Sequence, residues 1–258
     1  MRYILSPKGR SVLSGFAQSK GLVAFDFDGT LAPIAENPAD VWLPTQTKGL
    51  LKCVSALYPT AVISGRARED VVGRLEGTGI NCVIGNHGAD LGDTRTVRKT
   101  VAGWKALLTP ALEPLPGVWL EDKHLSLAIH YRQALRKSET RKAILRMAGG
   151  LRDAKMVPSK QSVNVIAVGA PHKGMALENK RSALGCETAL FVGDDTTDED
   201  VFSLPESNWL VGIRVGRKHG SQARFWLHAQ TEIDQLLRCL VDLREAPHPT
   251  PTLVLSSH

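Results

Sequence analysis

Short apolar runs recur along the chain, separated by stretches of helical periodicity, and this alternation restricts the fold more than any other feature. Leu22-Val-Ala-Phe25, Thr60-Ala-Val-Ile63, Asn81-Cys-Val-Ile84, Ala189-Leu-Phe-Val192 and Trp209-Leu-Val-Gly-Ile213 read as strands. Thr45 to Tyr58 carries Leu50, Leu51, Val54 and Leu57 on one helical face. Arg68 to Leu75, Lys173 to Leu184 and Glu232 to Leu243 read as further helices. Strand–helix–strand alternation pairs strands in parallel. The prediction is an α/β fold, a doubly wound, Rossmann-like parallel sheet.

The middle of the chain breaks the alternation. Trp119-Leu120 leads to a strand at Leu125–Arg132, a helix follows at Ser138–Ala148, and another strand at Ser162–Val168. That is a compact α+β unit set between two halves of an α/β domain. The expected division is a core in two segments, residues 1–95 and 170–258, with an inserted domain over residues 96–169 and Pro171-His172 in the return linker. The Pro-, Thr- and Ser-rich tail after Ala246 is expected to fray.

A chain of 258 residues, 43% hydrophobic, has ample material for a core. Basic residues exceed acidic ones by 32 − 26 = 6 but are spread along the chain. The densest run, Arg214-Val-Gly-Arg-Lys-His219, has no interleaved aromatics and reads as a solvated loop, so no nucleic-acid partner is expected. Cys53, Cys82, Cys186 and Cys239 form no CxxC pair, and read as buried free thiols in a reducing compartment. No run long enough for a signal peptide or a membrane span occurs, which predicts a cytoplasmic protein without membrane contact. Oligomeric state is not legible.

Asp26-Phe-Asp28-Gly-Thr30 follows an apolar strand directly. Open α/β sheets bind ligands at the carboxyl ends of their strands, so both Asp side chains fall at the expected site. Two carboxylates this close repel, a bound cation relieves the repulsion, and hard oxygen ligands point to Mg²⁺. Asp194-Asp-Thr-Thr-Asp-Glu-Asp200 ends another strand; alone it reads as an acidic helix N-terminus, but with the first motif it reads as further metal ligands, Asp194 with Asp195 or Asp198 in support. Ser64-Gly65-Arg66 ends a strand and opens a helix, where a hydroxyl and free backbone N–H groups suit an anion. Lys173, just before a helix, supplies a point charge. Taken singly, Ser64 could be an N-cap and Lys173 a surface lysine.

In chain order, Asp26-x-Asp28, then Ser64, then Lys173, then Gly193-Asp-Asp195, the four motifs resemble the haloacid dehalogenase superfamily from Gly21 to about Ile213, and the acid at Asp28 matches its phosphatase branch. Closer still is the likeness to trehalose-6-phosphate phosphatases. It is carried by Phe25-Asp-Phe-Asp-Gly-Thr-Leu-Ala-Pro33, Ile63-Ser-Gly-Arg66, Gly85-Asn-His-Gly-Ala89, Leu120-Glu-Asp-Lys-His-Leu-Ser-Leu-Ala-Ile-His-Tyr-Arg132 and Val192-Gly-Asp-Asp-Thr-Thr-Asp-Glu-Asp-Val-Phe202. The resemblance implies a Mg²⁺-dependent phosphatase acting on a small sugar phosphate. Asp26 would be the nucleophile that becomes an aspartyl-phosphate, Asp28 the acid and base, and Ser64 and Lys173 phosphate ligands. The metal would rest on Asp26, the Asp28 carbonyl and Asp194. Arg66, His87, Lys123, Ser126, His130, Arg132 and Asn164 are the expected substrate contacts.

On a strand, Ser126, Ala128, His130 and Arg132 share one face, and Leu125, Leu127, Ile129 and Tyr131 the other. A polar face of this kind suits sugar hydroxyls, and it also suits an ordinary half-exposed strand. One departure stands out. The family pattern Gly-Lys-x-Val-x-Glu is replaced by Pro158-Ser-Lys-Gln-Ser-Val-Asn-Val-Ile-Ala-Val168, with Lys160 offset and the Glu place near Asn164 or Val165. That leaves open a phosphatase for a different sugar phosphate, and a catalytically idle sugar-phosphate-binding domain as a further alternative.

Overall fold

The computed structural model describes residues 1–91, 94–158, 161–205 and 208–246. The expected frayed tail and Lys160 lie outside these residues. In chain order the elements are β1 (Arg2–Tyr3), α1 (Pro7–Gln18), β2 (Gly21–Phe25), α2 (Thr45–Leu57), β3 (Thr60–Ile63), α3 (Arg68–Arg74), β4 (Cys82–Ile84), α4 (Thr94–Leu112), β5 (Trp119–Asp122), β6 (Ser126–His130), α5 (Lys137–Ala148), β7 (Ala154–Pro158), β8 (Ser162–Ala167), α6 (Lys173–Ala183), β9 (Thr188–Gly193), α7 (Glu199–Phe202), β10 (Leu210–Val215), β11 (Phe225–Leu227) and α8 (Ile233–Glu245).

Seven strands form one parallel sheet in the order β1-β11-β10-β9-β2-β3-β4. Its strands are apolar at nearly every position because both faces are covered. Val23 and Phe25 of β2 pack with Leu13, Phe16, Leu51, Val54, Leu236 and Leu240 from α1, α2 and α8. Leu22 and Ala24 turn the other way, onto Ala176, Leu177, Val201 and Phe202 from α6 and α7. The chain winds from β2 to one edge through β3 and β4, then returns to β9 and winds to the other. The crevice between β2 and β9 is therefore the switch point where α/β sheets bind ligands.

The second sheet is antiparallel, in the order β5-β6-β8-β7. One face packs Leu127, Ile129, Val163 and Val165 against Val101, Trp104 and Leu108 of α4 and Ile144 and Ala148 of α5. The α/β sheet with an inserted α+β cap thus stands. β5 and β7 are additional to the two expected cap strands, and α4 begins at Thr94, across the expected boundary at Thr96. Two other expectations are corrected. Arg214 is not in a solvated loop: it lies buried in β10 and donates to Glu199 and to the carbonyls of Asp194 and Asp195, while Arg217, Lys218 and His219 are exposed. All four cysteines are free, but only Cys186 and Cys239 are buried; Cys82 is half-buried and Cys53 exposed, because it faces outward from α2.

Candidate active site

Asp26 leaves β2 and Asp194 leaves β9, adjacent strands whose register pairs Phe25 with Val192. Asp26, Asp194 and Asp198 each offer a carboxylate oxygen, and these atoms lie within 4.8 Å of one another. The two acidic loops close on each other at Gly29, where φ is 78° and a Cβ would stand 2.4 Å from Asp194 Oδ2. Lys173, first residue of α6, is 99% buried and reaches Asp26 Oδ1 at 2.9 Å and Asp198 Oδ1 at 2.8 Å.

One ammonium does not neutralise three buried carboxylates. Burial pushes the Asp26 carboxyl well above the usual carboxylate range; Lys173 opposes this, while Asp198 and Asp194 reinforce it. Burial alone would lower the Lys173 pKa, but the two carboxylates outweigh it and the net shift is upward. Three carboxylates against one ammonium leave two negative charges, a balance and a hard-oxygen donor set that fit a divalent cation. Asp195 stands apart from this group: its side chain accepts from the Asp198 N–H, and its own N–H donates to Asp198 Oδ2 at 2.8 Å, closing the turn before α7.

The Asp28 carboxylate also points elsewhere. Arg66 grips it bidentately, Nε to Oδ2 at 2.7 Å and Nη2 to Oδ1 at 2.6 Å. Ser64, fully buried at the end of β3, accepts from the Arg66 N–H at 3.2 Å and lies beneath Gly65. Gly65 is a close approach: a Cβ there would meet the His87 ring at 2.4 Å. His87 is lifted onto it by left-handed backbone at Asn86 (φ 50°) and His87 (φ 59°), a conformation non-glycine residues rarely hold outside functional or over-determined sites. Neither His87 ring nitrogen has a hydrogen-bond partner among the described residues. Burial first, then the ammonium groups of Lys173 and Lys123, hold its pKa well below the ordinary imidazole value.

The antiparallel sheet forms the opposite wall. Register pairs Glu121 with Ala128, Ala128 with Asn164, and His130 with both Trp119 and Ser162. One pleated face therefore presents Glu121, His130 and Asn164 across from Asp26. Together with Arg66, His87, Lys123, Arg132 and Lys173 they enclose a cavity of about 160 Å³. His130 Nε2 is 2.7 Å from Glu121 Oε2, and its ring stacks on Trp119 at 3.9 Å. Burial would raise the Glu121 pKa, but His130 and Lys123 outweigh it and hold the carboxyl low.

A trehalose-phosphatase family model matches residues 24–225. The chain belongs to the trehalose-phosphatase family. A trehalose-phosphate phosphatase of Mycobacterium avium is 31% identical over 221 residues, which cover 80% of this chain and 56% of that one. The chain thus spans about half the length of this relative. Trehalose-phosphate phosphatase B of Arabidopsis thaliana is 28% identical over 257 residues, 88% of this chain and 68% of that one. The C-terminal domain of a C. albicans trehalose-6-phosphate phosphatase superposes with a TM-score of 0.73 at 20% identity, over 94% of this chain and 99% of that one. A trehalose-6-phosphate phosphatase related protein gives 0.70 at 23% identity, over 86% and 97%.

Within this trehalose-phosphatase frame the expected residues divide. Asp26, Asp28, Arg66, His87, Lys123, His130, Arg132, Asn164, Lys173, Asp194 and Asp195 line the cavity. Three expected substrate contacts donate hydrogen bonds within the protein. Ser126 donates to Asn86 Oδ1 at 3.0 Å, Lys123 Nζ to Gly65 O at 3.0 Å, and Arg132 Nη1 to the carbonyls of Ala35 and Glu36. These bonds join the antiparallel sheet to the core loops. Asp70 and Asn86 were not singled out by sequence. The Arg66–Asp70–Arg74 spacing of four was the available signal for Asp70; for Asn86 it was the Gly85–Ala89 stretch, which does not show its partner, because that contact arises across the two sheets.

Proposed function

We propose that the chain is a Mg²⁺-dependent phosphatase that hydrolyses trehalose 6-phosphate to trehalose and phosphate through an aspartyl-phosphate on Asp26. The observation that carries the reading is the buried Asp26–Lys173–Asp198 group at the floor of a cavity roofed by Glu121, His130 and Asn164. A phosphoryl chemistry needs the first set and a polyhydroxylated leaving group needs the second.

An Asp26 oxygen attacks phosphorus in line with the sugar oxygen; the Asp26 O–P bond forms as the sugar O–P bond breaks. With substrate bound, Asp28 keeps one Arg66 bond and carries a proton on its other oxygen, and it gives that proton to the departing sugar oxygen. It then takes one from the water that attacks the phospho-aspartate and frees phosphate and Asp26. Lys173 offsets the charge that gathers on the phosphoryl oxygens, and Ser64 supports the loop whose amides face them. Asp26, Asp194, Asp198 and the Asp28 carbonyl would hold Mg²⁺, with Asp195 fixing their turn. Bound there, Mg²⁺ supplies positive charge against the phosphoryl oxygens and keeps Asp26 ionised.

The inserted unit, residues 96–169, closes through Lys123, Ser126 and Arg132 and keeps bulk water from the intermediate. Among the described residues no helix is long and apolar enough to cross a membrane; a cytoplasmic location is part of the same proposal. A second reading, a different sugar phosphate as the preferred substrate, is favoured by Asn164, an amide near the family's Glu place. Phosphate release over a panel of sugar phosphates decides between them. Trehalose 6-phosphate should give the highest kcat/KM, and Asp26→Asn should abolish turnover of every substrate. A better substrate elsewhere in the panel selects the second reading, and turnover by the Asn variant within tenfold of wild type removes the covalent mechanism.

A further inference from the structure

Among the described residues, Arg66 is the one hydrogen-bond partner of the Asp28 carboxylate. What aims Arg66 therefore aims Asp28. Its side chain is 10% exposed, and the guanidinium has two further anchors: Nη1 donates to Asp70 Oδ2 at 2.7 Å and Nη2 to Pro38 O at 2.8 Å. The other oxygen of Asp70 accepts from Arg74 Nε at 2.9 Å. Arg74 is itself buried, donates to the carbonyls of Ala39 and Val41, and lies 4.8 Å over the Trp42 ring. The result is a continuous chain, Asp28–Arg66–Asp70–Arg74, fixed at its far end to the Pro38–Trp42 segment.

An ordinary surface pair of residues four apart on a helix adds little and binds nothing beyond itself. Asp70 differs in joining two largely buried guanidinium forks, one of which ends on a carboxylate in the cavity. An arginine fork is planar and rigid once held, but its stem carries many rotamers. Pro38 O holds the fork at Nη2 alone, the nitrogen that also serves Asp28; Asp70 holds it at Nη1 and so fixes its plane independently of Asp28.

We propose that Asp70 is a positioning residue for Asp28, acting through Arg66, and that it serves departure of the leaving group. This rests on the phosphatase reading, in which Asp28 gives a proton to the departing oxygen. A sugar alkoxide is a poor leaving group and needs that proton in the transition state, whereas p-nitrophenolate leaves without it. Misplacing Asp28 therefore penalises one class of ester selectively.

The experiment compares wild type, Asp70→Asn, Asp70→Glu and Asp28→Asn by kcat/KM on trehalose 6-phosphate and on p-nitrophenyl phosphate. This ratio reports the steps up to departure of the first product and excludes the shared hydrolysis of the phospho-enzyme. For Asp70→Asn, the loss on the sugar phosphate should exceed the loss on the aryl ester by about tenfold, a fraction of the 10²–10⁴ that acid–base catalysis contributes. Asp28→Asn should show the same asymmetry, larger. Asp70→Glu should recover most of the loss. Equal losses on both esters, or no loss on the sugar phosphate, overturn the proposal and leave Asp70 a stabiliser of α3. Should wild type cleave the aryl ester but no sugar phosphate, the functional reading fails. The same asymmetry is then sought with glycerol 3-phosphate, whose leaving group is also an alcohol, and its absence there overturns the positioning role.

Discussion

The ammonium of Lys173 stands 2.9 Å from the Asp26 carboxylate, with the two side chains 1% and 7% exposed. Breaking a buried pair strands a charge, at about 3–5 kcal/mol, unless the carboxyl takes up a proton. Lys173→Met should lower the denaturation midpoint and cut phosphate release by about 10²–10³, the loss typical of removing one group that stabilises transition-state charge. Urea titration and a phosphate-release assay on the same preparation check both effects. Activity within tenfold of wild type would mean that Lys173 only balances charge in the resting protein.

The oxygens of Asp26, Asp194 and Asp198 lie within 4.8 Å of one another, a spacing a six-coordinate Mg²⁺ shell, with oxygens about 2 Å from the ion, can draw together. EDTA should remove activity and Mg²⁺ restore it. Ca²⁺ should substitute poorly, because its looser shell at about 2.3–2.6 Å misplaces the phosphoryl oxygens. Binding to the folded state alone stabilises it by about 2.7 kcal/mol at a hundredfold excess over Kd. Mg²⁺ should therefore raise Tm, and raise it less in Asp194→Asn. Full activity of a metal-free preparation would contradict this.

The core sheet was legible because each of its longer strands contains a short apolar run, and each acidic motif directly follows one. The elements that escaped notice lack such a signature. β1 has two residues. α1 is announced only by its Ser6 cap, which accepts from the Gly9 N–H, and by Pro7 in the first turn. α4 carries a clear stripe, Val97, Val101, Trp104, Leu108 and Leu112, but Gly103 and Pro110 interrupt its composition. In the site, residue types and strand ends were readable, whereas destinations were not. Sequence placed Arg66, Ser126 and Arg132 on substrate; the fold turns their donors to Asp28, Asn86 and the Ala35–Glu36 carbonyls. Those partners lie 38, 40 and 97 residues away in the chain, beyond any local pattern.

His87 makes stability depend on pH. Its folded pKa is depressed below 6.5, so between the two values the unfolded chain binds the proton and the folded chain does not. Stability then rises with pH through that window and falls as pH drops below about 6.5, by up to about 1.4 kcal/mol per unit for one full proton. His87→Gln should flatten the part of the Tm profile between pH 7 and pH 5 that this group supplies. An unchanged profile would show that His87 is solvated in the protein.

Register decides which of Asn164 and Val165, the two residues near the Glu place of the family pattern, faces the cavity. β6 and β8 pair Ala128 with Asn164 and Leu127 with Val165. Leu127 and Val165 are fully buried in the cap core, so Asn164 takes the opposite face, on the cavity. An amide there can donate to or accept from a hydroxyl but cannot offer the charged acceptor of a carboxylate. Losing one such hydrogen bond costs about 1–2 kcal/mol, or about 5–30-fold. Asn164→Ala should lower kcat/KM for trehalose 6-phosphate by that factor and leave p-nitrophenyl phosphate within about twofold. Val165→Ala should do the reverse, costing about 1–3 kcal/mol of stability with the ratio of the two substrates unchanged. Asn164→Glu separates the two substrate readings. If trehalose 6-phosphate is the substrate, the carboxylate should tighten its KM without altering the aryl ester. If the pocket is built around the amide for another sugar, the same substitution should weaken every sugar phosphate in the panel, because it buries a charge beside Glu121 where a neutral group was accommodated.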